Sequence, residues 1–249
     1  MFNCLISDKV KLTNLIYKYT IICDEIAGQA IAGQFLHIKC GDERILRRPI
    51  SISDVNNNEV SFVVEIRGEG TKWLCAMEAG NSLDIIGPLG NGFRIPDGNT
   101  ILVGGGVGVP PLLYAAKQTK YITAVISGFR NKESIILVEE FKKICDIVCV
   151  TTDDGSYGKH GTVIKPLKEL ISNGKNNSVL TCGPRPMMAA VAKLCKEFSI
   201  PCQVSLEERM GCGIGACMVC ACKTTGGGDD KMSLVCKDGP VFDASEVVW

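Results

Sequence analysis

Cys212, Cys217, Cys220 and Cys236 constrain this chain more than any other feature of it. The first three follow the spacing C-x4-C-x2-C and the fourth comes after a longer gap. That is the plant-type spacing of a 2Fe–2S cluster. The residues between them suit it. Gly211, Gly213, Gly215 and Ala216 carry little side chain, so the backbone can wrap a cluster and turn amide N–H groups toward its sulfurs. Such hydrogen bonds tune a reduction potential. A structural zinc site is the competing reading, but zinc ribbons usually show two short cysteine pairs and one is present here. Cys222 is a fifth thiol. If Cys220-Ala221-Cys222 is extended, alternation puts both sulfurs on one face, and Cys222 reads as a packed or spare thiol.

The chain has 14 cysteines in 249 residues. Outside the cluster, most are scattered among apolar residues like small buried hydrophobes. Scatter plus one dense group predicts reduced thiols with a metal site rather than disulfides, and hence a cytoplasmic location. Lys+Arg and Asp+Glu are both 27, which argues against nucleic acid, whose binding needs a basic surface. No apolar run reaches the roughly 18–20 residues of a membrane span. Met1 to Lys11 lacks a charged segment followed by an apolar core, so no secretory leader is expected.

The first ~95 residues read as β structure. Leu15–Cys23 is rich in β-branched residues, Gln34–Cys40 alternates, and Glu59–Ile66 sets Val60, Phe62 and Val64 on one face. Short strands at this spacing predict a small antiparallel barrel. Gly87–Gly92 is dense in breakers and marks a chain corner or a boundary. Beyond it the pattern alternates. Strands are predicted at Thr100–Val103, Tyr121–Ser127, Asp146–Thr151, Ser178–Cys182 and, last, Cys202–Leu206. Helices are predicted from Pro110-Pro111 through Gln118, and at Glu133–Lys143, Thr162–Ile171 and Pro184–Phe198. Such alternation implies a parallel sheet covered by helices. Three domains follow: a β-barrel over 1–97, an α/β lobe over 98–206, and a cluster segment over 207–249. The last shows little periodicity and is too small to hold a core without a staple such as a metal.

Two further groups of residues carry chemistry. Arg47-Arg48-Pro49-Ile50-Ser51-Ile52 sets charge, a rigid Pro and a hydroxyl in an extended segment, which can hold a flavin; its plain reading is a solvated strand edge. Gly70-Thr71 opens an apolar helix, either as a phosphate-receiving N-terminus or as an ordinary Thr cap. Gly104, Gly105, Gly106 and Gly108 lie between a strand and a helix, where a dinucleotide pyrophosphate can sit. They do not spell G-x-G-x-x-G, since Val109 stands where the last Gly would be, and a ligand-free packing turn is the alternative. Asp153-Asp154 and Cys182-Gly183-Pro184 end later strands on what is expected to be the same carboxyl edge. Two Asp residues beside a ribose would repel a 2′-phosphate and favour NADH; a solvated turn reads equally well.

Barrel, nucleotide lobe and cluster tail, in that order, resemble the ferredoxin-reductase superfamily. Within it the chain resembles the electron transfer subunits of type B dihydroorotate dehydrogenase. The resemblance rests on Arg48–Ser51, Gly87–Phe93, Gly104–Pro111, Gly128-Phe129-Arg130, Thr152–Gly158, Cys182–Pro184, Ser205–Met210 leading into the cluster, and Cys236–Phe242. It spans essentially the whole chain and is most specific over Glu207–Cys220. It implies FAD at Arg48, Pro49, Ile50 and Ser51, at Val63, Val64 and Glu65, and at Gly70 and Thr71. It implies NAD(H) in the α/β lobe, and iron ligands at Cys212, Cys217, Cys220 and Cys236. At Glu65 the family commonly has Arg; Arg67 lies nearby with the same side-chain parity. An FMN-bearing catalytic partner is implied, with two copies of each chain. The sequence offers no acid–base pair or nucleophile for the partner's chemistry, and neither His37 nor His160 has a visible mate. Ile214, Met218 and Val219 are candidates for the partner contact or for packing on the barrel. A reductase subunit for another acceptor, such as a sulfide dehydrogenase or a ferredoxin:NADP reductase, shares the same lobes. A non-catalytic, metal-stapled binding module would be colourless, unlike either oxidoreductase.

Overall fold

The computed structural model describes residues 1–43, 45–172, 177–226 and 229–249. Six antiparallel strands close into a barrel in the order β1-β2-β5-β4-β3-β6. They are β1 (Phe2–Lys11), β2 (Ile16–Ile22), β3 (Phe35–Ile38), β4 (Arg48–Asn56), β5 (Glu59–Glu65) and β6 (Ser82–Leu89). The short helices α1 (Asp24–Ala27) and α2 (Glu69–Cys75) interrupt them. Alternation sends one side-chain set inward: Tyr19, Ile21, Leu36, Ile38, Ile52, Phe62 and Ile85 are fully buried. Tyr19 stacks on Phe62 across the β2–β5 pairing, and its hydroxyl donates to the Leu74 carbonyl of α2 at 2.9 Å. That bond seats α2 against the barrel.

The second sheet starts with β7 (Asn99–Gly105). Then come α3 (Val109–Gln118), β8 (Ile122–Phe129), α4 (Val138–Lys142), β9 (Val148–Thr152), β10 (Lys159–His160) and α5 (Ile164–Ile171). After these come β11 (Asn177–Cys182), α6 (Arg185–Glu197) and β12 (Cys202–Ser205). The strand order is β10-β9-β8-β7-β11-β12, all parallel. The chain moves outward from β7 through β8 and β9, then returns to β7's other side at β11. The switch point therefore lies between β7 and β11, and ligands of open α/β sheets bind at such points. Helix α3 carries Pro110 and Pro111 in its first turn, as expected. It also joins the two bodies: its Tyr114 hydroxyl donates to the Ala30 carbonyl and its Lys117 pairs with Asp54 of β4.

Two expectations need correction. The helix predicted over Glu133–Lys143 is split. Asn131 accepts from the Ser134 amide and caps a 3-10 turn over Lys132–Ser134. Leu137 then takes a left-handed φ of 61° before α4 begins. Burying Ile136 and Leu137 opens the backbone where a continuous helix would leave part of the apolar set in water. Nor is Cys202–Leu206 the last strand. The tail forms a hairpin, β13 (Ala221–Gly226) with β14 (Asp229–Leu234). Then β15 (Val241–Asp243) adds to the large sheet, antiparallel to β12. Met210, Leu234, Val235, Phe242, Ala244 and Val247 share one buried core with Ile101, Val179 and Val204 of the lobe. The tail borrows that core, so a metal is not its sole staple.

Gly87–Gly92 is a corner with a second use. β6 runs to Leu89, and Asn91 donates its side-chain amide to the Lys237 and Asp238 carbonyls, both at 3.0 Å. The barrel's last corner thus holds the loop that follows Cys236.

Candidate electron-transfer site

The four cysteines come together as two pairs. The Cys212 and Cys217 thiols lie close enough to influence each other, and so do those of Cys220 and Cys236. Among the described residues no three His, Cys, Asp or Glu side chains converge on one point as the ligands of a single ion would; a two-iron cluster instead takes its ligands two and two. Backbone amides surround the sulfurs. Ile214 and Ala216 donate to Cys212 Sγ at 3.5 and 3.2 Å. Cys212 donates to Cys217 Sγ at 3.3 Å, Gly215 to Cys236 Sγ at 3.1 Å, and Cys236 to Cys220 Sγ at 3.4 Å. The loop can aim these amides because Gly213 and Gly215 hold φ of 74° and 85°, a region open to Gly and costly for other residues. The Ile214 amide above all, helped by that of Ala216, draws the Cys212 pKa down to about 6, which favours a thiolate. Burial pushes Cys236 up to about 12. A cationic cluster iron is what would hold that buried sulfur as thiolate. The donor set and its amides fit a 2Fe–2S group.

Cys222 lies within β13, buried in the shared core, and burial raises its pKa. Among the described residues no amide of the cluster loop donates to it. Ile214, Met218 and Val219 are 61%, 57% and 56% exposed, so they do not pack on the barrel.

The flavin candidates gather at one end of the barrel, where β4 begins and β5 ends. Arg48, Pro49, Ile50 and Ser51 are half-buried at the start of β4. β4 lies between β3 and β5 in a closed barrel and so has no solvated edge. The Arg48 guanidinium lies over Gly70 in the first turn of α2: a Cβ on Gly70 would stand 2.6 Å from Arg48 Nε. Arg48 Nη1 donates to the Leu46 carbonyl at 2.6 Å, leaving its other nitrogens toward α2. Thr71 caps that helix, its Oγ1 accepting from the Arg67 and Gly68 amides. Val63 and Val64 are buried. The Glu65 carboxylate is held by Arg67, which also reaches Glu207 at 3.7 Å. The Arg of matching parity therefore neutralises Glu65 beside the helix start.

At the switch point Cys182 pairs with Gly104 across β11 and β7. The two glycine-rich strand ends therefore face each other. A Cβ on Gly108 would stand 2.4 Å from the Cys182 carbonyl oxygen, and one on Gly105 would meet Met187 and Pro184. These glycines are demanded by packing. Gly106 differs: its φ is 52° and its Cβ position is open. Gly183 also has positive φ, 153°. Cys182 is half-buried, and desolvation pushes its thiol up to about 12, away from the thiolate form. Asp153 and Asp154 follow β9 on the same carboxyl edge, but β8 separates β9 from β7. Asp154 accepts from the Ser156 amide and hydroxyl, which lowers its pKa.

Sequence reasoning missed two residues here. Arg47 donates twice to Asp84, at 2.9 and 2.8 Å, and also to backbone carbonyls of His37 and Asp84. It clamps the 45–48 turn onto the barrel and is not free for a ligand. His37 of β3 is fully buried, and among the described residues neither ring nitrogen has a hydrogen-bond partner. A histidine flanked by Leu36 and Ile38 in an alternating strand was the available signal.

A closed six-strand barrel, a parallel nucleotide sheet and a cysteine-lined tail define an oxidoreductase of the ferredoxin-reductase type. Family models agree: residues 102–193 match an oxidoreductase NAD-binding domain, and residues 207–248 the iron–sulfur cluster binding domain of dihydroorotate dehydrogenase B. The chain belongs to the family of dihydroorotate dehydrogenase B (NAD(+)) electron transfer subunits. It is 45% identical to the one from Caldanaerobacter subterraneus subsp. tengcongensis over 87% of each chain. It is 39% identical to that of Fusobacterium nucleatum over 98% of this chain and 97% of that one. Among solved structures it is similar to an NADH-dependent reduced ferredoxin–NADP oxidoreductase, with a TM-score of 0.89 and 33% identity, covering 100% of this chain and 91% of the other. No described helix is long and apolar enough to cross a membrane.

Proposed function

We propose that this chain carries electrons between NAD(H) and the FMN of a dihydroorotate dehydrogenase catalytic subunit, using FAD and a 2Fe–2S cluster, in the cytoplasm. The observation that carries this reading is the four-sulfur cage lined with amide donors and seated on the flavin barrel. Cys212, Cys217, Cys220 and Cys236 hold the irons. Arg48 and the Gly70-Thr71 helix start take the flavin phosphates, while Pro49, Ile50 and Ser51 with Val63, Val64 and Glu65 line the flavin. Gly104, Gly105, Gly106 and Gly108, with Cys182, Gly183 and Pro184, form the cradle for the dinucleotide. Asp153 and Asp154 lie toward its ribose and disfavour a 2′-phosphate.

The bound flavin supplies the conversion from hydride pairs to single electrons that a cluster requires. The chain's own work is placement. Helix α3 fixes the nucleotide lobe on the barrel, and Asn91 fixes the Cys236 loop to the same barrel. The amides of Ile214, Gly215 and Ala216 offset the negative charge of the sulfurs. Exposed Ile214, Met218 and Val219 beside the cages of sulfur form an apolar patch for the partner, in an assembly of two copies of each chain. The three domains divide at 97/98 and 206/207, the last sharing its core with the second.

The alternative, a reductase for another acceptor, is favoured by the 33% identity to the ferredoxin–NADP oxidoreductase. The greater identity to the dihydroorotate dehydrogenase B subunits, together with the cluster-domain match, favours the first reading. Reconstitution tests it. Mixing this chain with the FMN subunit should give a stable complex and NADH-dependent reduction of orotate that requires both chains. Two chains that neither co-purify nor couple NADH to orotate would refute the pyrimidine assignment.

A further inference from the structure

His37 sits where the barrel meets the cluster loop, and its placement is costly. Alternation along β3 sends Leu36 and Ile38 into the barrel core and the other set outward. Phe35, of that outward set, packs in the core that holds Met210, Cys220 and Cys236. His37 shares its parity. Its ring touches the cluster loop: a Cβ on Gly213 would stand 2.5 Å from His37 Nδ1. On the barrel side His37 pairs with Pro49, within the flavin segment, and with Ile86. The residue thus spans from the flavin strand to the backbone beside Cys212. Among the described residues neither nitrogen finds a hydrogen-bond partner, and a buried polar group left unmet is destabilising. An apolar residue of similar size would fill the space without that cost. Packing therefore does not account for a histidine here.

We infer that His37 is a positioning residue for the cluster: it donates a ring N–H to the Cys212 carbonyl when the cluster is seated, and so ties the cluster loop to the flavin strand. The Cys212 and Arg47 carbonyls already lie close enough to influence the ring. The donated N–H points its positive end toward the cluster and favours the reduced, more negative state. It also steadies the loop whose amides at Ile214, Gly215 and Ala216 face the sulfurs. Gly213 is then required twice, by its φ and by the ring beside it.

This rests on Cys212 being an iron ligand, and the test separates the two claims. The full chain loaded with FAD and iron is compared with His37→Leu, which removes the donor, and His37→Gln, which keeps one. Iron content, the electron paramagnetic resonance line shape and the cluster potential are measured. The expected result is full iron in both variants. His37→Leu should show an altered line shape and a shift of electrons from cluster to flavin of about tenfold, or 59 mV for one electron, while His37→Gln stays within about twofold of wild type. Iron lost from His37→Leu but kept by His37→Gln supports the same role. A His37→Leu cluster indistinguishable from wild type, equal shifts in both variants, or iron lost from both would overturn it. Failure of the ligand reading shows separately, as Cys212→Ser protein with full iron and an unchanged spectrum.

Discussion

Arg48→Ala tests whether the start of β4 and the start of α2 form one anion site. The guanidinium lies over Gly70, and its loss removes a charge-assisted contact to the flavin's phosphates. Hydrogen bonds to charged groups are worth about 1.5–3 kcal/mol. At 1.4 kcal/mol per factor of ten, the FAD dissociation constant should rise about 10- to 150-fold. Gly70→Ala attacks the same contact from the other side. Its Cβ would stand 2.6 Å from Arg48 Nε and 2.8 Å from Nη2, so the guanidinium has to leave. The single variants should therefore weaken FAD to a similar extent. The double variant should be little worse than Arg48→Ala alone, because groups sharing one contact do not add. Flavin fluorescence titration of FAD-stripped protein measures all four constants. Wild-type affinity in Arg48→Ala, or two losses that simply add, would refute a shared site.

Other outcomes follow from the same geometry. Serine at Cys212, Cys217, Cys220 or Cys236 should abolish cluster iron, and Cys222→Ser should keep it; iron analysis that reverses Cys220 and Cys222 would overturn the ligand set. Stopped-flow reduction of the flavin should be faster with NADH than with NADPH, and the opposite preference would remove Asp153 and Asp154 from the ribose. In the iron-free chain, Cys212, with a pKa drawn down to about 6, is thiolate above that pH. Iodoacetamide should label it at neutral pH with half-maximal rate near pH 6, while Cys236, pushed to about 12 by burial, stays unlabelled. Phe242→Ala should destabilise even the cluster-free protein by about 3–5 kcal/mol, since a buried Phe is lost from the shared core; an unchanged denaturant midpoint would mean that the tail is held by metal alone.

Much of this was legible because the chain's local rules are strong. Alternation in Glu59–Ile66 and the Pro-Pro start of α3 reported their elements directly, and the C-x4-C-x2-C spacing reported a four-sulfur site. What was not legible depends on partners distant in sequence. β15 is three residues long and exists because β12 offers it an edge. The split before α4 reflects the burial of Ile136 and Leu137, which no periodicity encodes. Glycines demanded by packing, such as Gly108, read the same as glycines left open, such as Gly106, until the facing Cys182 carbonyl is seen. Asn91 looked like a turn residue, yet it holds the Cys236 loop from 146 positions away. His37 shows no mate in sequence and no hydrogen-bond partner among the described residues, and its meaning comes from the Cys212–Gly213 backbone beside it.

The central claim is that electrons from NADH reach the cluster through a flavin in this one chain. Anaerobic titration of the purified chain with NADH, followed by visible absorbance and low-temperature electron paramagnetic resonance, tests it most directly. The account predicts a brown-yellow protein whose flavin bleaches on NADH addition, with a reduced 2Fe–2S signal growing alongside. A colourless protein, or a flavin that bleaches while the cluster of the intact chain stays oxidised, would contradict it.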